Sequence, residues 1–244
     1  MHRTALVTGG SRGIGAATAR RLARDGWDVA LSYRDRADAA EQVVAACRAE
    51  GVRALSLRCD VSREDEVDAM FATVADELGE MAAVVNNAGI APPPGRVEDY
   101  DAARLHQVMA VNVVGAYLVA GRAVRAMSTA HGGAGGVLVN VSSRAAVLGS
   151  AGEYVDYAGS KAAVDALTVG LAGEVAADGV RVVGVRPGLI ETDIHAPGRL
   201  VRLGSTPPLG RPGAADEVAG AIAFLVSPDA SYMTGTTLDV SGGR

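Results

Sequence analysis

The sequence is poor in aromatic residues: rings make up 4% of its 244 residues, with two Phe and one Trp. Its interior must be built instead from aliphatic side chains, mostly Ala, Val and Leu, within a hydrophobic share of 49%. That composition suits helices packed on a Val-rich parallel sheet. Cysteine is nearly absent. Cys47 and Cys59 supply neither a disulfide framework nor a metal cluster and read as small apolar fillers. The four histidines, His2, His106, His131 and His195, show no ligand spacing, so no metal site is expected. His195 falls in a predicted lid and is given no catalytic role. Positive charge is in deficit. The formal net charge of -5 argues against a polyanion-binding surface and a nucleic-acid partner, while leaving room for a local basic pocket around one phosphate. No apolar run is expected to cross a bilayer. The N-terminus runs into a strand without a signal-peptide pattern. A soluble cytoplasmic protein is expected.

Glycine, by contrast, is abundant at 31 residues, many of them in motifs. The length fits one large α/β domain or two small ones. Thr4 to Thr8 reads as a buried strand, followed by Gly9, Gly10, Ser11, Arg12, Gly13, Ile14 and Gly15 and then a helix to about Arg24. Strand, glycine loop and helix form the context in which glycines let a backbone approach a pyrophosphate, although an ordinary tight turn uses the same residues. A second strand, Asp28 to Tyr33, ends beside Arg34. An acidic residue there would hold a ribose hydroxyl, whereas Arg accommodates a 2′-phosphate. Arg12 and Arg34 together favour NADP over NAD, although Asp35 could instead pair with an Arg.

A helix over Ala37–Glu50 and a strand over Arg53–Arg58 lead to Asp60 and Val61. Ser62 is predicted to cap the next helix, with Asp65 three residues on. A strand over Ala82–Val85 ends at Asn86-Asn87-Ala88-Gly89, at the edge where open parallel sheets bind ligands. A plain turn would also use Asn and Gly. One long helix is predicted from Asp101 to Met127. Asn112, inside it, must satisfy its amide with a water or a backbone carbonyl. Further strands are predicted over Val137–Val141, Val180–Val185 and Thr236–Val240, and helices up to Ala177 and over Ala214–Val226. A lid covers about 190–210. Strand and helix alternate with no dividing linker, which predicts a single doubly wound α/β domain over residues 1–244.

Tyr157 and Lys161 lie four residues apart on a predicted helix and so share a face. A free phenol has a pKa of about 10 and is a poor proton donor at neutral pH. A neighbouring ammonium would lower that value, and a hydroxyl such as Ser143 would bond the same reacting oxygen. Tyr, Lys and Ser together make a device for moving a proton at an alcohol or carbonyl oxygen. Alone, such a pair is more often surface decoration.

Thr8 to Gly15, Asn86 to Gly89, Asn112, Ser143, Tyr157, Lys161 and Arg186-Pro187-Gly188, in this order and at these separations, resemble the classical short-chain dehydrogenase/reductase family over essentially the whole chain. Ser143 fits better than Ser142, because the following Arg144 to Gly149 resembles the family's loop. Val183 departs from the pattern, since many relatives carry Asn there. The resemblance implies a Rossmann-type fold with a seven-stranded, mostly parallel sheet. It implies a catalytic set of Asn112, Ser143, Tyr157 and Lys161, with Tyr157 as general acid or base. Ser143 would polarise the carbonyl, Lys161 would lower the Tyr pKa and bind the nicotinamide ribose, and Asn112 would hold a relay water. Gly9, Ser11, Arg12, Gly13, Ile14, Gly15, Arg34, Asp60, Val61, Asn86, Ala88, Gly89, Tyr157, Lys161, Pro187, Gly188, Ile190 and Thr192 would line the cofactor path. A homotetramer or homodimer is implied, with a small carbonyl or alcohol as substrate. Substrate walls are expected from the Pro92–Pro94 loop, the Leu148–Val155 loop and the lid. The competing reading is a catalytically silent NAD(P)-binding regulatory protein.

Overall fold

The strands are short and mostly apolar, and helices pack on both faces of the sheet that they form. A computed structural model describes residues 3–194 and 198–244. His2 and His195 lie outside the described residues. Seven strands, β1 (Thr4–Val7), β2 (Asp28–Tyr33), β3 (Ala54–Arg58), β4 (Met81–Asn86), β5 (Gly136–Val141), β6 (Val180–Pro187) and β7 (Thr237–Val240), form one sheet in the order β3-β2-β1-β4-β5-β6-β7. Every pairing is parallel. This is a Rossmann-like doubly wound fold.

Side-chain alternation along the strands divides the core in two. Ala5, Val7, Val85, Val139 and Val183 face a layer with α1 (Gly13–Arg24), α2 (Ala37–Ala49) and α9 (Ala215–Val226). Leu6, Val84, Leu138 and Val182 face α3 (Glu64–Leu78), α5 (Gly115–Met127) and α7 (Val155–Val175), and α4 (Ala102–Met109) packs against α7. Two short helices, α6 (Ala145–Leu148) and α8 (Arg199–Leu203), lie near the carboxyl edge, so the lid carries a helix of its own. Cys47 and Cys59 are buried and free, as expected of fillers, and burial pushes their thiols up to about 11 and about 12.

Three expectations need correction. The long helix is not continuous: a π turn at Ala110–Val114 separates α4 from α5. Such turns insert a residue into the helical ladder. The 26 residues Ala102–Met127, with a mean hydropathy of 1.4, also do meet the length and composition of a membrane span. Their apolar face is instead spent on the sheet, where Val119, Ala120, Ala123 and Met127 are buried against β4, β5 and α3. Finally, Ser62 does not cap α3. Its hydroxyl donates to Asp60 Oδ1 at 2.7 Å, and the helix starts after Arg63 without a side-chain cap.

Candidate active site

Strand order reverses between β1 and β4, and the crevice outside their carboxyl ends is where such sheets bind ligands. The loop from β1 to α1 forms its floor. Gly9 has φ +65°, and a Cβ on Gly15 would sit 2.3 Å from the Gly9 carbonyl oxygen, so the loop closes only with glycine there. The first turn of α1 carries no acidic residue, so its free N–H groups face the crevice unopposed. Asn87 ties the loop to the end of β4: its Nδ2 donates to the Thr8 and Gly9 carbonyls at 2.8 and 3.1 Å.

A cavity of about 360 Å3 follows this loop. It is lined by Gly9, Ser11, Arg12, Gly13, Ile14, Gly15, Arg34, Asp60, Val61, Ala88 and Gly89, all of them expected from the sequence. Asn86 is not among them. Its side chain is 5% exposed and turns inward, donating to Ala116 O at 2.9 Å and Asn140 Oδ1 at 3.0 Å. Asn87 takes the place expected of Asn86 and faces both cavities. Arg34 pairs with Asp35 at 2.8 Å, Arg12 lies 4.0 Å from Asp193, and Arg36, which sequence reasoning overlooked, joins them at the rim.

A larger cavity of about 680 Å3 adjoins it, lined by Ser143, Tyr157, Lys161, Pro187, Gly188, Ile190 and Thr192, with walls from 148–154 and the lid. Pro92 to Pro94 are not in that wall, contrary to expectation. Arg104 Nη1 holds the Pro93 carbonyl at 2.7 Å, and Arg104 Nε donates to Asp156 Oδ2 at 2.7 Å. Asp156 in turn accepts from the Tyr157 N–H at 2.9 Å, so the loop is stapled to the start of α7.

Ser143, not Ser142, faces the phenol. The Ser143 hydroxyl pulls the Tyr157 phenol downward, and Ser143 Oγ accepts from Ala145 N at 3.1 Å. Ser142 Oγ donates to the Lys161 carbonyl at 3.1 Å, while Lys161 Nζ donates to the Val141 carbonyl at 2.8 Å. These two bonds close a ring between β5 and α7. Lys161 Nζ lies 5.8 Å from the Tyr157 ring centre. The expected control of the phenol by Lys161 is not what this arrangement produces. Burial raises the Tyr157 pKa and outweighs the downward pull of Ser143 and Arg199.

Burial also lowers the Lys161 ammonium to about 8, with Asp165 opposing. The folded value lies below the unfolded one, so the buried charge costs stability at neutral pH. That cost is relieved as pH rises from about 8 toward the unfolded value of about 10.4. The stability of the protein relative to its Lys161→Met variant should therefore increase across that window in urea titrations. A flat difference would refute the shift.

Asn112 sits in the π turn. Its Nδ2 donates to Ile90 O at 2.9 Å and Ser160 Oγ at 3.0 Å, and its Oδ1 accepts from Ile90 N at 2.8 Å. A backbone carbonyl is thus among its partners, as expected. Gly89 lies between it and Lys161: a Cβ there would be 3.3 Å from Asn112 Oδ1 and 3.4 Å from Lys161 Nζ.

Comparison with known proteins finds relatives over nearly the whole chain. Residues 9–244 match a family model described as enoyl-(acyl carrier protein) reductase. The chain is 49% identical to the uncharacterized oxidoreductase YgfF of Escherichia coli, over 98% of this chain and 99% of that one. A Burkholderia cenocepacia short-chain dehydrogenase solved in complex with NADP superposes with a TM-score of 0.92 at 36% identity, covering 99% and 97% of the two chains. A Brucella melitensis 3-ketoacyl-(acyl-carrier-protein) reductase complexed with NADH gives 0.92 at 33%, covering 99% and 98%. With its glycine cradle, its Ser-Tyr-Lys convergence and these relatives, the chain belongs to the short-chain dehydrogenase/reductase family of NAD(P)-dependent oxidoreductases.

Proposed function

We propose that the protein is an NADPH-dependent ketone reductase, able to run in reverse as a secondary-alcohol dehydrogenase, in one catalytic domain over residues 1–244. The observation that carries this reading is that Ser143, Tyr157 and Lys161 line one cavity, next to the glycine-floored crevice. The bound nicotinamide dinucleotide supplies the hydride. Gly9 to Gly15 hold its pyrophosphate, and Ile190 and Thr192 its carboxamide end. Tyr157 gives a proton to the carbonyl oxygen in reduction and takes one from the alcohol in oxidation. A phenol raised by burial stays protonated at neutral pH, which suits the reductive direction. Ser143 orients and polarises the reacting oxygen. Lys161 holds the nicotinamide ribose, and Asn112 holds the water of a proton relay behind it.

NADP is favoured over NAD because Arg12, Arg34 and Arg36 gather at the end of β2 with only surface carboxylates as partners. A hydrogen bond to a charged group is worth about 1.5–3 kcal/mol. Replacing Arg34 and Arg36 together by Ser should raise the Kd for NADP at least about tenfold and that for NAD less than about threefold. Equal losses would remove the 2′-phosphate assignment.

The silent-binder reading predicts quenching of NADPH fluorescence with no loss of NADPH absorbance across a ketone panel. Turnover with any of them supports the reductase. Within that reading, 3-oxoacyl thioesters and sugar- or steroid-like secondary alcohols remain the substrate classes to compare. A homotetramer or homodimer is supported by apolar side chains left exposed on α4, α5 and α7, among them Leu105, Met109, Tyr117 and Val169. Light scattering should return a multiple of the chain mass; a monomer would end that assignment. Two buried thiols and no disulfide among the described residues suit the cytoplasm.

A further inference from the structure

The lid side of the larger cavity carries an unbalanced charge. Arg144, Arg199, Arg202 and Arg244 line it together with Lys161, and Glu153 is the one carboxylate among the described lining residues. Arg144 is neutralised from behind by Asp239 at 2.6 Å. The remainder centres on Glu153. Its Oε2 accepts from Arg199 Nε at 3.1 Å and Nη2 at 3.0 Å, and its Oε1 accepts from Arg202 Nη2. Two guanidinium groups on one carboxylate leave an excess positive charge, in a chain whose total is -5. Arg199 is fixed over the Tyr154 ring at 5.2 Å, whereas 61% of the Arg202 side chain is exposed.

This charge does not serve the cofactor phosphate, because Arg12, Arg34 and Arg36 line the other cavity. Nor is it remote from the reaction: Arg199 is close enough to pull the Tyr157 phenol downward. The excess positive charge where Arg199 and Arg202 share Glu153, in a cavity that must also admit a nicotinamide, matches a compact monoanion. Arginine forks match carboxylates with two parallel hydrogen bonds.

We propose that Arg202, backed by Arg199 and Glu153, docks a substrate carboxylate, and that the substrate is a small oxo acid or hydroxy acid whose reacting carbon lies at Ser143 and Tyr157. This rests on the reductase reading for its chemistry but not for its binding site.

The test has two arms. In the first, 5-oxohexanoate and 3-oxocyclohexanecarboxylate are compared with their methyl esters as substrates of the full chain with NADPH. The acids should exceed the esters in kcat/KM by at least about tenfold, the ratio supplied by one hydrogen bond to a charged group. In Arg202→Gln, checked for an unchanged Tm, that ratio should fall to within about twofold of unity. In the second arm, binding of hexanoate and hexanamide to the NADP-loaded protein is measured by calorimetry, with no turnover needed. Hexanoate should bind at least about fivefold tighter, and Arg202→Gln should abolish the difference. Esters turned over as well as acids, or an acid preference that survives Arg202→Gln, would overturn the carboxylate site and leave the reductase standing. No turnover of any ketone, with hexanoate still preferred through Arg202, would overturn the reductase and leave the site standing. Equal binding of hexanoate and hexanamide would overturn the site whatever the turnover.

Discussion

Replacing Tyr157 by Phe should lower kcat at least about a hundredfold, the lower range for a group that transfers a proton in the transition state. The change removes one oxygen and keeps the ring, which is half-buried and packs edge-on against Tyr154 with centroids 6.5 Å apart. Folding should therefore be retained, as should NADPH fluorescence quenching, because the glycine loop and the arginines at the end of β2 are untouched. The loss should fall on kcat and kcat/KM alike, as expected when an interaction formed only in the transition state is removed. Turnover within a few-fold of the parent, in a variant with the same Tm, would take the proton-transfer role away from this residue. Ser143→Ala should show the same pattern to a smaller degree, since Tyr157 would keep its proton but lose the partner that orients it.

The largest effect on stability is expected from Arg104→Ala. The Asp156 side chain is fully buried, and Arg104 is its ion-pair partner at 2.7 Å. Burial pushes the Asp156 carboxyl up. The Arg104 hydrogen bond and the Tyr157 N–H outweigh that push and hold it below the usual carboxylate range. Breaking a buried pair from one side costs about 3–5 kcal/mol. Arg104 keeps some contact with solvent, so about 3 kcal/mol is the expected loss. The sign of the pH dependence follows. In the parent, the lowered carboxyl contributes stability that is present above its unfolded value of about 3.9 and is lost as pH falls below it. Without Arg104 the carboxyl moves upward, so the deficit should be greatest at neutral pH and shrink on acidification. Adding Asp156→Asn to the variant should recover at least half of the loss. A deficit that neither narrows with falling pH nor responds to Asp156→Asn would mean that Arg104 acts only through the Pro93 carbonyl.

Local pattern was enough to read the sheet. Most strands are short runs rich in Val, Ala and Leu, and β1, β2 and β6 lie within two residues of where those runs begin and end. The Gly9–Gly15 loop and the Tyr157–Lys161 pair were legible for a similar reason: their chemistry depends on neighbours within a turn or two. What failed was set by distant contacts. The break in the long helix is tied to Asn112, whose partners are 22 and 48 residues away. Asn86 and Asn87 are indistinguishable in sequence. They part company because the last residue of β4 points toward α5, and the next leaves the strand and reaches back to β1. Ser62 lost its cap role to a nearer acceptor, Asp60. The Arg104–Asp156 staple joins residues 52 apart, and nothing in either segment announces the other. The residues proposed as catalytic were thus visible as a set, but the balance of burial and nearby groups that tunes the phenol was not.

The ring formed by Ser142, Lys161 and the Val141 carbonyl has an evolutionary consequence. It anchors Lys161 to the end of β5 through two bonds, whereas in the proposed reductase selectivity would be drawn on 148–154 and on the lid, which make neither bond. Mutations can redraw the outer wall for a new metabolite while the inner machinery is inherited intact. In the proposed reductase, chemistry and taste would be separate hereditary traits.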